Sequence, residues 1–318
     1  MIWRGAIAAA ALLVAAPALA ATTKPGLREQ LAAFQALDGR VQSAAWRLVR
    51  GNAPYCGDVA PGIGLILFDA AGFGDPKAVR DALKLPGDIA VGAVALDSPT
   101  ARAGLRAAQP LAAVAGQAVE LLPPARPGDY TRLTGLHDRV DASLRANGTL
   151  NLTDAAGNAI SISGEPTCIT RFELLSSGSK AAADGRRVVI GRKLVEALPD
   201  DDLLAAALAH ELAHNLLGHR ARLDASGRSW GKVRVTEREA DRLAPWLLAN
   251  AGYDPQAAVR FFERWGPKFD LGLFATPDHD GWKTRVRKVA AEIEVMNRAM
   301  ISNADGQANW ARDFVHER

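Results

Sequence analysis

His210, Glu211 and His214 stand in the run His210-Glu211-Leu212-Ala213-His214, the residue types and spacing that zinc hydrolysis requires. On an α-helix, residues four apart share a face, so both imidazoles can point a ring nitrogen at one ion at about 2.0 to 2.1 Å. Glu211 is a step round the helix. That offset keeps its carboxylate off the metal and beside the open coordination position, where it can take a proton from water. Chance produces the pattern on the order of once in a few hundred proteins, so the neighbouring sequence has to supply a helix and a further ligand.

The helix is readily supplied. Between Asp202 and Leu217 every position outside the motif and Asn215 is alanine or leucine, with Asp200, Asp201 and Asp202 at the start and Gly218 after the end. Such a helix is apolar nearly all round and belongs inside its domain. Burying two histidines and a glutamate without partners costs several kcal/mol, an objection that a metal removes. The bland alternative is a pair of core histidines with chance spacing.

Catalytic zinc wants three protein ligands and one open position. His219 lies about half a turn away from His210 on a continued helix and faces elsewhere unless Gly218 redirects the chain. Leu217 and Arg220 occupy the places where the metzincin continuation needs glycine and histidine, which excludes that subclass. Glu237 and Asp241 are again four apart, on one face of a second helix running to about Asn250. Glu237 would bind the metal, and Asp241 would accept the free ring N–H of a ligand histidine. Glu239, about 200° round from Glu237, reads as a solvated surface charge.

With HELAHNLLGH at 210–219 and Glu237-Arg238-Glu239-Ala240-Asp241 downstream, the sequence resembles the zinc metallopeptidases that include the CAAX prenyl proteases, the HtpX heat-shock proteases and soluble periplasmic relatives. Ala183-Asp184-Gly185 before the strand Arg187–Ile190, and Ala251-Gly252-Tyr253-Asp254-Pro255, belong to the same resemblance, which covers about residues 180 to 298. It implies zinc ligands His210, His214 and Glu237, with Glu211 as the base and one Zn2+ per chain. The family's Thr-His-Pro is replaced by Pro277-Asp278-His279-Asp280, but the spacing from His279 to Arg285 is kept. His279 is then expected near the zinc, stabilising an oxyanion or occupying the open position, with Arg285 behind it; otherwise it is a surface loop histidine. The strand Arg187–Ile190 is expected to offer its edge to substrate.

The chain has 318 residues, nearly half of them apolar, enough for two domains. Arg4, the apolar run Ala6 to Ala16 and Ala18-Leu19-Ala20 read as a signal peptide over residues 1–20, so a soluble periplasmic or secreted chain without a transmembrane segment is expected. A net charge of +3 with no basic cluster argues against nucleic acid as a partner. Cys56 and Cys168 have no metal-ligand spacing, and in an exported chain they are expected to form a disulfide.

After an N-terminal helix within residues 21–51 comes a stretch rich in glycine, proline and β-branched residues. Leu96-Asp97-Ser98-Pro99-Thr100-Ala101-Arg102-Ala103-Gly104-Leu105 resembles the signature of bacterial PDZ domains, with Thr100 in place of its first alanine. That resemblance implies a PDZ-like domain over 52–175 in which Gly62-Ile63-Gly64-Leu65 captures a peptide C-terminus; a spacer that only packs on the protease is the alternative. Its helix is expected over Thr131–Ala146 and its hairpin over Thr149–Thr153 and Ala159–Ser163. The expected fold is α+β, a mainly helical metallopeptidase domain over 176–318 preceded by this β-rich unit. The expected function is zinc-dependent hydrolysis of exported or envelope proteins; the competing one is chaperone-like peptide binding with a gated or structural zinc.

Overall fold

The computed structural model describes residues 25–198, 200–269 and 280–317. Residues 1–20, read from the sequence as a signal peptide, and His279 fall outside them. Helix α1 (Leu27–Gly51) leads into a β-rich half made of β1 (Val59–Gly62), β2 (Leu65–Asp69), α2 (Pro76–Leu83), β3 (Ile89–Val94), α3 (Pro99–Arg102), β4 (Leu111–Val114), β5 (Gln117–Ala118), α4 (Thr131–Asn147), β6 (Thr149–Asp154), β7 (Ala159–Ser163) and β8 (Glu165–Cys168). There follow β9 (Arg171–Leu175), β10 (Ala181–Ala183), β11 (Arg187–Gly191), α5 (Arg192–Ala197), α6 (Asp201–Leu216), α7 (His219–Ser226), α8 (Trp230–Asn250), α9 (Ala257–Phe269), α10 (Trp282–Ser302) and α11 (Trp310–Asp313). No helix among the described residues is long and apolar enough to cross a membrane.

In the β-rich half, β5, β4, β6 and β7 form an antiparallel sheet in that order, while β2 pairs with β3 and β1 with β8. Ser98 starts α3 by accepting the Ala101 N–H at 3.2 Å, with Pro99 preset for the first turn. Asp154 closes the β6–β7 hairpin by accepting the N–H groups of Ala156 and Asn158. Arg132 fastens α4 to the strands through Asp69 at 2.7 Å and Asp88 at 3.1 Å. Leu67, Val91, Leu136, Leu150 and Leu152 fill the core between them.

The second core gathers around α6. Asp200 caps this helix by accepting the Asp202 N–H at 2.8 Å, and the acidic first turn complements the helix dipole. Leu204, Leu208 and Leu212 are fully buried, each contributing about 1.5 to 3 kcal/mol relative to exposure. They pack with Leu243 and Leu247 of α8, Val289 and Ile293 of α10, and Val41, Ala44 and Leu48 of α1. The N-terminal helix is thus part of the core that surrounds the metal-site helix. Cys56 and Cys168 are joined in a disulfide where β1 meets β8.

A small sheet in the order β10-β11-β9 lies beside α6, antiparallel between β10 and β11 and parallel between β11 and β9. Residue 175 ends β9, so residues on both sides of the 175/176 boundary contribute to this sheet. β11 is its middle strand. The expectation that Arg187–Ile190 offers a free edge is therefore corrected: both of its edges are taken, and β10 is the edge strand beside α6. The sequence marked a strand at 187–190, but its neighbours are set by pairing that no local pattern encodes.

Candidate metal centre

His210 and His214 leave the same face of α6 and meet Glu237 from α8, the helix packed most extensively against it. His210 Nε2 is 3.5 Å from Glu237 Oε2, His214 Nε2 is 3.5 Å from Glu237 Oε1, and the two Nε2 atoms are 3.3 Å apart. One donor atom from each residue lies within 4.8 Å of the others. Two imidazoles and one carboxylate converging at this range suit a divalent cation of zinc's preferences, so the donor set fits the metal that the sequence suggests. Glu211, adjacent to His210, is partly buried on α6.

The electrostatics favour positive charge at this point. Burial alone would lower the His210 imidazole, but the close carboxylates of Asp241 and Glu237 outweigh it and raise its pKa from 6.5 to about 10. His214 goes the other way, down to about 3, because burial and the neighbouring His210 charge both disfavour a second proton. Asp241 and Glu237 thus favour one added positive charge at this point, on His210 and not on His214. A cation there takes that charge's place.

Behind the two histidines stand two separate supports. His210 Nδ1 lies 3.0 Å from Asp241 Oδ1, at ion-pairing range but off the line of a good hydrogen bond. Asp241, only 4% exposed, accepts two hydrogen bonds from Arg285 of α10, from Nε at 2.7 Å and Nη2 at 2.6 Å. Burial would raise the Asp241 carboxyl, yet the Arg285 charge and hydrogen bonds hold it below the usual range. Arg285 also stacks over the Phe262 ring at 4.1 Å. Asp280, at the start of this segment, pairs with Arg238 at 2.8 Å and Lys288 at 3.1 Å, anchoring it to α8 and α10.

The second support was not foreseen. Gly218, at φ 62°, takes the left-handed turn that ends α6 and starts α7, and this swings His219 back so that its Nδ1 lies 2.8 Å from His214 Nδ1. His219 Nε2 in turn lies 3.2 Å from Glu239 Oε2. The reading of Glu239 as a surface charge is corrected: it is 0% exposed and also bonded by Arg222, His316 and the Glu317 main chain. Facing away from Glu237 on α8 meant facing a second buried contact, because α7 and the chain beyond α11 cover that side. Burial pushes its carboxyl up, but the His219 and Arg222 bonds prevail and bring it from 4.5 to about 2. The glycine after the metal helix was the one local signal for His219; nothing local marked Glu239.

Residues 176–229 match the Peptidase family M48 model. This matched stretch carries β10, β11, α5, α6 and α7, and so includes His210, Glu211, His214 and His219. It ends before α8, which leaves the placing of Glu237 and Asp241 to geometry. No curated protein matches the chain.

Proposed function

We propose that this chain is a zinc-dependent endopeptidase akin to the CAAX protease and HtpX group, with His210, His214 and Glu237 as ligands and Glu211 as the general base. The observation that carries the reading is the convergence of those three donor sets on one point, beside a glutamate and within a chain whose residues 176–229 match a peptidase family. A bound zinc ion supplies the electrophile that polarises a peptide carbonyl and brings the pKa of water toward about 7. Glu211 takes the proton of the attacking water and returns it to the amine nitrogen as the C–N bond breaks. Asp241 and His219 hold the outer ring nitrogens of His210 and His214. The β10 edge runs beside α6, which supports binding of an extended substrate by strand addition there. For His279 the proposed role, stabilising an oxyanion or occupying the open coordination position, rests on its sequence spacing to Arg285 alone.

The substrates we propose are exported or envelope proteins, in a periplasmic or secreted setting. A disulfide-bonded chain and an apolar leader pattern at 6–16 support that setting. For the β-rich half we propose a PDZ-like peptide site. A cleft of about 1370 Å³ is lined by Ile63, Leu65 and Ile66, by His137 and Asp141 of α4, and also by Arg187 and Asn215 of the other half; it lies beside strand β2, which pairs only with β3 among the described residues. Gly64, at φ 68°, packs where a Cβ would strike Ser98, consistent with a tight loop before that strand.

Hydrolysis of casein by zinc-loaded protein tests the proposal. The wild type is expected to cleave, and Glu211→Gln to keep the metal and the fold while losing cleavage. Equal cleavage by both would remove the mechanism. Peptide binding with no cleavage by the zinc-loaded wild type would favour the chaperone-like reading, which the cleft along β2 keeps open.

A further inference from the structure

Glu239 is fully buried on α8, and the chemistry assigned to Glu211 does not use it. A buried carboxylate is costly unless its oxygens are satisfied. Here Oε2 meets His219 Nε2 at 3.2 Å and the Arg222 guanidinium, while Oε1 accepts the Glu317 main-chain N–H at 3.1 Å and faces His316 Nδ1 at 3.1 Å. An ionised carboxylate only accepts, so each nitrogen facing it must carry a hydrogen. For neutral rings the rest is determined. His219 keeps its hydrogen on Nε2 and offers a lone pair from Nδ1; that lone pair faces His214 Nδ1 at 2.8 Å, so the hydrogen between them belongs to His214. His214 Nε2 is then left bare, and it is the atom that faces Glu237.

We infer that Glu239 is a positioning residue for the metal centre, setting the tautomer of His214 through His219, and that the segment Phe314–Glu317 is the strap that holds Glu239 in place. The inference rests on His214 being a metal ligand. The strap is itself fastened to α8: Arg242 lies 3.1 Å from the Glu317 carboxylate and 5.2 Å from the Phe314 ring centroid, and Phe314 is buried. A segment far from the metal motif in sequence thus contributes to how well the centre holds its ion. An amide at 239 would undo this order. Its NH2 can donate to His219 Nε2, which moves the hydrogens along both rings and leaves one on His214 Nε2, where the metal must bind.

Zinc affinity measured by chelator competition, together with 15N–1H correlation spectra of the histidines in metal-free protein, tests the inference. Glu239→Gln is expected to weaken zinc binding by about 10- to 100-fold and to move the His214 hydrogen from Nδ1 to Nε2. Glu239→Asp, which keeps an acceptor-only group, is expected to lose less affinity and to keep the wild-type tautomer. His316→Phe, which preserves a ring beside Phe314 and removes one donor, is expected to weaken zinc several-fold. Wild-type affinity and tautomer in folded Glu239→Gln would overturn the positioning role. Should that variant not fold, wild-type affinity in both His316→Phe and Glu317→Pro, which lacks the main-chain donor, would overturn the strap. A wild-type protein that binds no zinc fails the zinc reading instead, and the two failures are distinguishable because the tautomer is read without metal.

Discussion

Arg285 of α10 donates two hydrogen bonds to Asp241 of α8, at 2.7 and 2.6 Å, directly behind the ring of His210. Both partners are largely removed from water, so the pair is worth little against an apolar replacement but costly to break on one side. The geometry is bidentate, which lysine cannot reproduce.

Arg285→Met should therefore strand a buried carboxylate and lower stability by about 3 to 5 kcal/mol, with Arg285→Lys losing less. Urea unfolding of the metal-free protein measures this. A change below about 0.5 kcal/mol in Arg285→Met would show that Asp241 does not depend on its partner.

Zinc should raise the thermal midpoint of the wild type in a concentration-dependent way, since it binds the folded chain preferentially. Chelation should reverse the rise. In Glu237→Ala the zinc-dependent shift should vanish and metal analysis should fall well below one ion per chain; full stoichiometry there would refute the ligand assignment.

Asp38 of α1 is buried and accepts Gln42 Nε2 at 3.0 Å. Burial, reinforced by Glu173 and only partly opposed by Gln42, raises its carboxyl from 3.8 to about 6. A folded pKa above the unfolded one means that the stability present below about pH 3.8 is lost as pH rises through about 6, a loss of about 1 to 3 kcal/mol. Asp38→Asn keeps the acceptor for Gln42 and removes that loss. It should be more stable than wild type at pH 7.5 and not at pH 4, by denaturant titration at each pH. An equal gain at both would mean that ionisation is not the cause.

The Cys56–Cys168 bond closes a loop of 112 residues, worth up to about 4 to 5 kcal/mol in the chain-entropy model. The paired Cys56→Ser and Cys168→Ser variant should lose about 2 to 5 kcal/mol while zinc binding persists. Oxidised wild type and the double variant unfolding at the same urea concentration would contradict this.

What local periodicity governs was legible in the sequence. His210, His214, Glu237 and Asp241 share helix faces at spacing four, and the caps and glycines around 200–218 and the turn at 155–158 announced α6 and the β6–β7 hairpin. What depends on distant neighbours was not. Helix geometry placed Glu239 away from Glu237, but only the packing of α7 and residues 314–317 makes that direction an interior. For the same reason β11 was recognisable as a strand while its central position, between β9 and β10, was not. His219 lies between these cases, since a continuing helix would have turned it away and one left-handed glycine brought it back.

The placement of α1 bears on when the interior can be completed during synthesis. Asn52, just after α1, donates to Leu247 O at 3.0 Å and accepts from Trp310 Nε1 at 3.0 Å, a partner 258 residues further along. Val41, Ala44 and Leu48 wait likewise for α6 and α8. Contacts of such long range form late, because chain closure has to precede them. A polypeptide emerging N-terminus first thus carries an unfinished interior until residues beyond Trp310 have been made.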